Sequence, residues 1–236
     1  MAYSGKSYRI EYEYRFQNGD SERLVLNLDP DTMAFRVPEG IGHPEWTRLE
    51  NAQCGNCPLL VEDHPYCPVA TNLQSPIQMF SQALSHDAVE LHVVTPERKY
   101  EVQTTMQKAI GALLGIVMVT SGCPILDPLR PMVRFHLPVA TLDETKYRAI
   151  SMYLVAQYLR RRKGLKADWD MKNLISIYDE ISKVNKAFVR RLQQAVEQDA
   201  GLNAVVALNY FADLVPFAID EGELDDLEDL FSAYLD

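Results

Sequence analysis

Cysteine and tryptophan are scarce: the 236-residue chain has four of the first and two of the second. So few thiols exclude a small disulfide-stapled scaffold, and a chain of this length can bury a core without one. Long apolar runs are missing too. The longest, Ile110 to Val119, is interrupted by Gly111 and Gly115; it is too short to span a bilayer and suits a buried helix. No apolar stretch follows Met1, so neither a signal peptide nor a membrane partner is expected, and the default location is the cytoplasm. The familiar catalytic signatures H-E-x-x-H, G-x-S-x-G, the P-loop and a strand-borne G-x-G-x-x-G are absent as well.

Basic charge is in deficit. Lys and Arg number 23 against 33 Asp and Glu, a net charge of −10. Residues 220–236 alone hold eight acids and no base, which leaves the remainder at −2. No broad basic face for nucleic acid is indicated. The one basic cluster, Arg160-Arg161-Arg162-Lys163, precedes Gly164 where a helix should end, and cations there suit the helix dipole.

What is present is strong patterning. Tyr8, Ile10, Tyr12, Tyr14 and Phe16 alternate with charges, the period of a half-buried strand. Asn18-Gly19-Asp20 turns the chain, Leu24, Leu26 and Leu28 form a second strand, and Met33, Phe35 and Val37 form a third. Residues 41–68 carry Pro44, Pro58, Pro65 and Pro68 and read as a long irregular loop. A helix over 69–84 follows, with Pro76 opening its main part, then a hairpin from Val89, Leu91 and Val93 returning through Lys99 to Gln103. A very apolar helix from Thr104 to Val119 ends at Ser121-Gly122. Thr141 and Glu144 form a capping box. Helices are expected over 171–198, with Leu174, Tyr178, Ile181, Val184, Phe188, Leu192 and Val196 inward, and over 202–219, which Pro216 kinks or ends early. A last one, 224–235, turns Leu224, Leu227, Phe231 and Tyr234 to one side. Sheet first and helices later define an α+β fold. The expectation is an antiparallel N-terminal sheet of about five strands packed with helices, followed by a C-terminal helical bundle. Residues 1–121, with the Cys loop at 41–68, and residues 122–236 form two halves of one integrated domain.

The chemistry is concentrated in the cysteines. Cys54-Gly-Asn-Cys57-Pro58, Tyr66-Cys67-Pro68 and Gly122-Cys123-Pro124 give C-x2-C-x9-C and a distant fourth thiol. Two cysteines two residues apart can turn toward one ion, and a zinc site needs about four soft ligands. Cys54, Cys57 and Cys67 can be completed by Cys123 or by His64. An iron–sulfur cluster is the rival, since clusters also take four cysteines and Cys-Pro ends the bacterial ferredoxin run. Inert buried thiols and a redox pair are the other readings. Beside Cys123, Arg130, Arg134 and His136 punctuate an apolar, proline-stiffened stretch. They either support thiolates or bind an anion, or else the arginines pair with Asp143 or Glu144 while His136 bonds a backbone carbonyl. His92 falls on the polar side of its strand, and Asn203 and Asn209 read as hydrogen-bond partners inside a helix.

Three functional classes follow: a protein with a Cys-ligated zinc or iron–sulfur site of structural or sensory role; a redox enzyme using a cluster or a reactive thiol near Arg134 and His136; and a non-catalytic module whose acidic C-terminal helix binds a protein partner.

The runs Cys54-Gly-Asn-Cys57-Pro-Leu-Leu, His64-Pro-Tyr-Cys67-Pro-Val-Ala, Thr120-Ser-Gly-Cys123-Pro, Arg134-Phe-His136-Leu-Pro and Tyr147-Arg148-Ala together resemble a bacterial family known as a domain of unknown function. The resemblance covers most of the chain. It implies that the four cysteines and the Arg134–His136 segment share one site, and it implies no activity.

Overall fold

A computed structural model describes residues 7–35, 42–195, 199–220 and 228–235. Strands β1 (Tyr8–Phe16), β2 (Ser21–Leu28), β3 (Ala88–Val94) and β4 (Lys99–Thr105) form an antiparallel sheet in the order β2-β1-β3-β4. Tyr8, Ile10, Tyr12 and Tyr14 of β1 are buried beside Leu24, Leu26 and Leu28 of β2 and Val89, Leu91 and Val93 of β3. The alternating charges form the other face, where Glu11 pairs with Arg9 and Arg23.

The sheet has four strands rather than five. Asp29 Oδ1 accepts the N–H groups of Asp31 and Thr32 at 3.1 and 2.9 Å, and Met33 takes a left-handed φ of 59°. That local turn competes with extension, so only Phe35 bridges back to Leu28. Val37 lies outside the described residues.

Helix α1 (Pro68–Met79) starts at proline, which fits a first turn because its missing N–H would have no partner there. It ends at Met79 rather than continuing to residue 84, and Pro76 sits inside it. Helix α2 (Met106–Thr120) crosses the inner face of the sheet, accepting Tyr12 Oη–H at Ala112 O (3.2 Å) and Tyr14 Oη–H at Ala109 O (3.3 Å). Gly122, at a φ of 89°, turns the chain out of α2 and into Cys123.

A 3-10 segment (Asp127–Phe135) leads to α3 (Leu142–Arg162), opened by the expected capping box: Glu144 N–H donates to Thr141 Oγ1 at 3.3 Å and Thr141 N–H to Glu144 Oε2 at 2.7 Å. Arg160, Arg161 and Arg162 occupy the last turn of α3 before Gly164, as the helix-dipole reading expects. Helix α4 (Lys172–Leu192) is shorter than the apolar pattern suggests; residues 196–198 of that pattern lie outside the described set. Helix α5 (Ala200–Asp220) passes through Pro216 without ending. It is long and apolar enough to cross a membrane by length and composition alone, and here it packs on α4 and α2. Of the C-terminal helix, the described residues show a 3-10 turn at Asp229–Phe231 and a short α-helix at Ser232–Leu235. Phe231 and Tyr234 are exposed rather than inward, while Leu224 and Leu227 lie outside the described residues.

Candidate metal centre

Three segments converge between the sheet half and the helical half. The loop carrying Cys54 and Cys57 is closed by a turn in which Cys57 N–H donates to Cys54 O at 3.0 Å. Cys67 is the N-cap of α1, and its N–H reaches Thr47 O at 2.8 Å. Cys123 follows the exit of α2. Asn72 ties two of these segments together: its Nδ2 donates to Pro68 O at 2.8 Å, beside Cys67, and to Ser121 O at 3.2 Å, two residues before Cys123.

As a result Cys54, Cys57, Cys67 and Cys123 line one small cavity of about 20 Å³, together with Val184, Phe188 and Arg191 of α4. His64 is exposed and is not among its walls. Of the two ways to complete the set, the fold brings in Cys123.

The cavity is electrostatically unusual. Burial pushes the Cys54 thiol up to about 12; Cys67, Cys123 and Cys57 add to the rise and Arg191 opposes it. Burial also raises Cys123, opposed by the nearby backbone N–H groups of Leu126 and Ile125. Amide dipoles near a sulfur favour its thiolate form. A metal displaces such protons, whereas a reactive free thiol needs the opposite shift.

Arg191 was hidden in the sequence. It is fully buried, donating from Nη1 to Trp46 O (2.7 Å) and Arg48 O (2.5 Å) and from Nη2 to Leu49 O (3.1 Å). Among the described residues no carboxylate lies within ion-pairing distance of it. Its burial lowers its affinity for a proton, and Cys67, Cys54 and Cys57 restore part of it. The signal was available: Val184, Phe188 and Arg191 repeat at the spacing of one helical face. Asn56, inside the C-x2-C turn, docks the loop on α4 by donating to Glu180 O at 3.0 Å and Glu180 Oε2 at 2.7 Å.

No three thiol sulfurs lie within 4.8 Å of one another. Among the described residues that spacing is met only by Glu90, His92 and Glu101 on the outer face of β3 and β4. The edge of a zinc–thiolate tetrahedron is roughly 3.8 Å, from Zn–S bonds of about 2.3 Å, so the four cysteines are set wider than a single zinc ion holds them.

The proline-stiffened stretch does not join the thiols. Arg130 pairs with Asp127 at 3.0 Å, and Arg134 approaches Glu97 at 3.8 Å and lies over the Tyr8 ring. Neither uses Asp143 or Glu144. His136 Nε2 is 2.6 Å from Tyr12 Oη rather than at a backbone carbonyl. It lines a separate, larger cavity. The single shared site implied by the resemblance is therefore two places in the fold, divided because the 3-10 segment carries residues 127–135 away from Cys123.

The fold and the thiol cavity define an α+β protein with a four-cysteine cleft at the seam between its sheet and its helices. The chain belongs to the family described as a domain of unknown function (DUF6901), whose model matches residues 10–232. No curated protein and no solved structure matches it.

Proposed function

We propose that the four cysteines hold a metal centre that fastens the sheet half to the helical half, as a structural or sensory element. One observation carries the reading: thiols from three segments, separated by up to a whole subdomain of sequence, line one cavity against a buried guanidinium lacking a carboxylate. Four thiolates around a divalent ion leave two negative charges, and Arg191 supplies a positive one where water cannot. The backbone N–H groups of Leu126 and Ile125, close to Cys123, favour its thiolate form.

A second reading, a redox protein with an iron–sulfur cluster, is favoured by the sulfur spacing. A cluster spreads its four thiolates wider than one ion does. Both readings share the ligand set Cys54, Cys57, Cys67 and Cys123, and they part on the element bound.

Anaerobic purification with metal analysis and a visible spectrum tests this. Stoichiometric zinc in colourless protein, or iron with broad visible absorbance, is expected; iron selects the redox reading. Serine at any one of the four cysteines should abolish retention, whereas His64→Ala should keep it. Metal-free protein with four freely titrating thiols would refute the proposal.

A further inference from the structure

The second cavity is far larger, about 520 Å³, within the range of small-molecule sites. It lies between α2, the 3-10 segment, the start of α3, α4 and α5. Its walls are mostly aliphatic. Gly111 and Gly115 of α2 face Ala204 and Leu208 of α5 at ordinary contact distance, and all four line the gap.

The polar groups are few. Tyr178 and Asn185 lie two turns apart on α4, are more than nine-tenths buried, and line the cavity. Neither side chain has a hydrogen-bond partner among the described residues. Arg148 of α3 donates from Nη2 to Met132 O at 3.2 Å, while its Nε is buried with no partner. Lys108 stands exposed at the edge. Among the described residues no Asp or Glu lines this cavity, in a chain with ten more acids than bases. Buried donors left without acceptors cost free energy; a ligand that supplies acceptors recovers it. The wall also contains Val139 at a φ of 54°. A β-branched residue is rarely left-handed, and such strain gathers at functional sites.

We propose that this cavity binds a small apolar molecule bearing one carboxylate, its head group held by Arg148, Tyr178 and Asn185 and its hydrocarbon body lying against Gly111, Gly115 and Leu208. The cation sets the sign of the head group, and the aliphatic walls set the character of the body. This site is independent of the thiol centre.

Calorimetric titration of the full chain with dodecanoate, dodecanol and dodecylamine, all below their micellar concentrations, tests it. Dodecanoate should bind one per chain, at least tenfold more tightly than the alcohol, with the amine weaker still. Arg148→Met should weaken dodecanoate at least tenfold. Tyr178→Phe should weaken it at least threefold with an unchanged melting temperature, because the hydroxyl has no internal partner to lose. This second variant keeps the test open should Arg148→Met fail to fold. Equal binding of acid, alcohol and amine, or an unaltered affinity in Tyr178→Phe, would overturn the proposal.

Discussion

Replacing Arg191 by methionine keeps most of the aliphatic stem and removes the guanidinium. Three carbonyls, those of Trp46, Arg48 and Leu49, then lose the guanidinium, and among the described residues only that of Arg48 keeps another donor, the Asn51 N–H at 3.2 Å. A hydrogen bond from a charged donor contributes about 1.5–3 kcal/mol, so three taken at face value would sum to well over the true loss. The opposing effect is desolvation, visible in the depressed proton affinity of the buried guanidinium, and methionine is relieved of it. Removing one side of a buried charged interaction costs about 3–5 kcal/mol, because the groups left behind cannot reach water. That is a large part of a typical stability of about 5–15 kcal/mol. With a urea dependence of about 2–3 kcal/mol per molar, the midpoint should fall by roughly 1–2 M. Urea unfolding followed by circular dichroism and by tryptophan fluorescence measures this, and Trp46 lies in the affected loop. Arg191→Lys should fall between, since one ammonium cannot span three carbonyls as a planar fork does. If the buried-donor argument is wrong, the methionine variant will unfold within about 0.3 M of the parent at the same slope.

Burial and the neighbouring Arg148 guanidinium push His136 down to about 3, against about 6.5 in the unfolded chain. Below pH 6.5 the unfolded state takes up a proton that the folded state refuses, so stability is full above 6.5 and falls toward pH 3. The slope approaches 1.4 kcal/mol per pH unit, or about 2 kcal/mol lost by pH 5, as an upper value because part of the ring faces the cavity. Urea midpoints between pH 7 and 5 should decline in the parent and flatten in His136→Gln; parallel lines would show that the imidazole is not the source. At the start of α3, Thr141→Ala removes one half of the capping box and should cost about 1 kcal/mol, read as a melting-temperature drop of about 2–4 °C. No change would mean that the cap is replaced by water.

Much of this was legible in the residues. The alternation of Tyr8 to Phe16 is dictated by one buried face, and the Thr141 cap needs only four consecutive residues. The four thiols were visible as a set because cysteine is otherwise absent. What was hidden depended on contacts distant in sequence. His136 belongs with Tyr12, 124 residues away, and no local pattern carries that pairing. Among the described residues the third strand is reduced to the Phe35 bridge, because the Asp29 carboxylate holds Asp31 and Thr32 in a turn and the Phe35 N–H goes to Thr120 O. Arg191 went unremarked in the sequence, since charge counting does not distinguish an inward arginine from its exposed neighbour.

The seam position of the thiol cleft has a consequence for biosynthesis. A chain emerges from the ribosome N-terminal end first. Cys54, Cys57 and Cys67 are made well before Cys123, and the wall formed by Val184, Phe188 and Arg191 arrives later still. The cleft cannot close until α4 has been synthesised and has docked. Through that interval the three loop thiols stand open to solvent, and a metal held as proposed above would be loaded late, in an order that translation itself enforces.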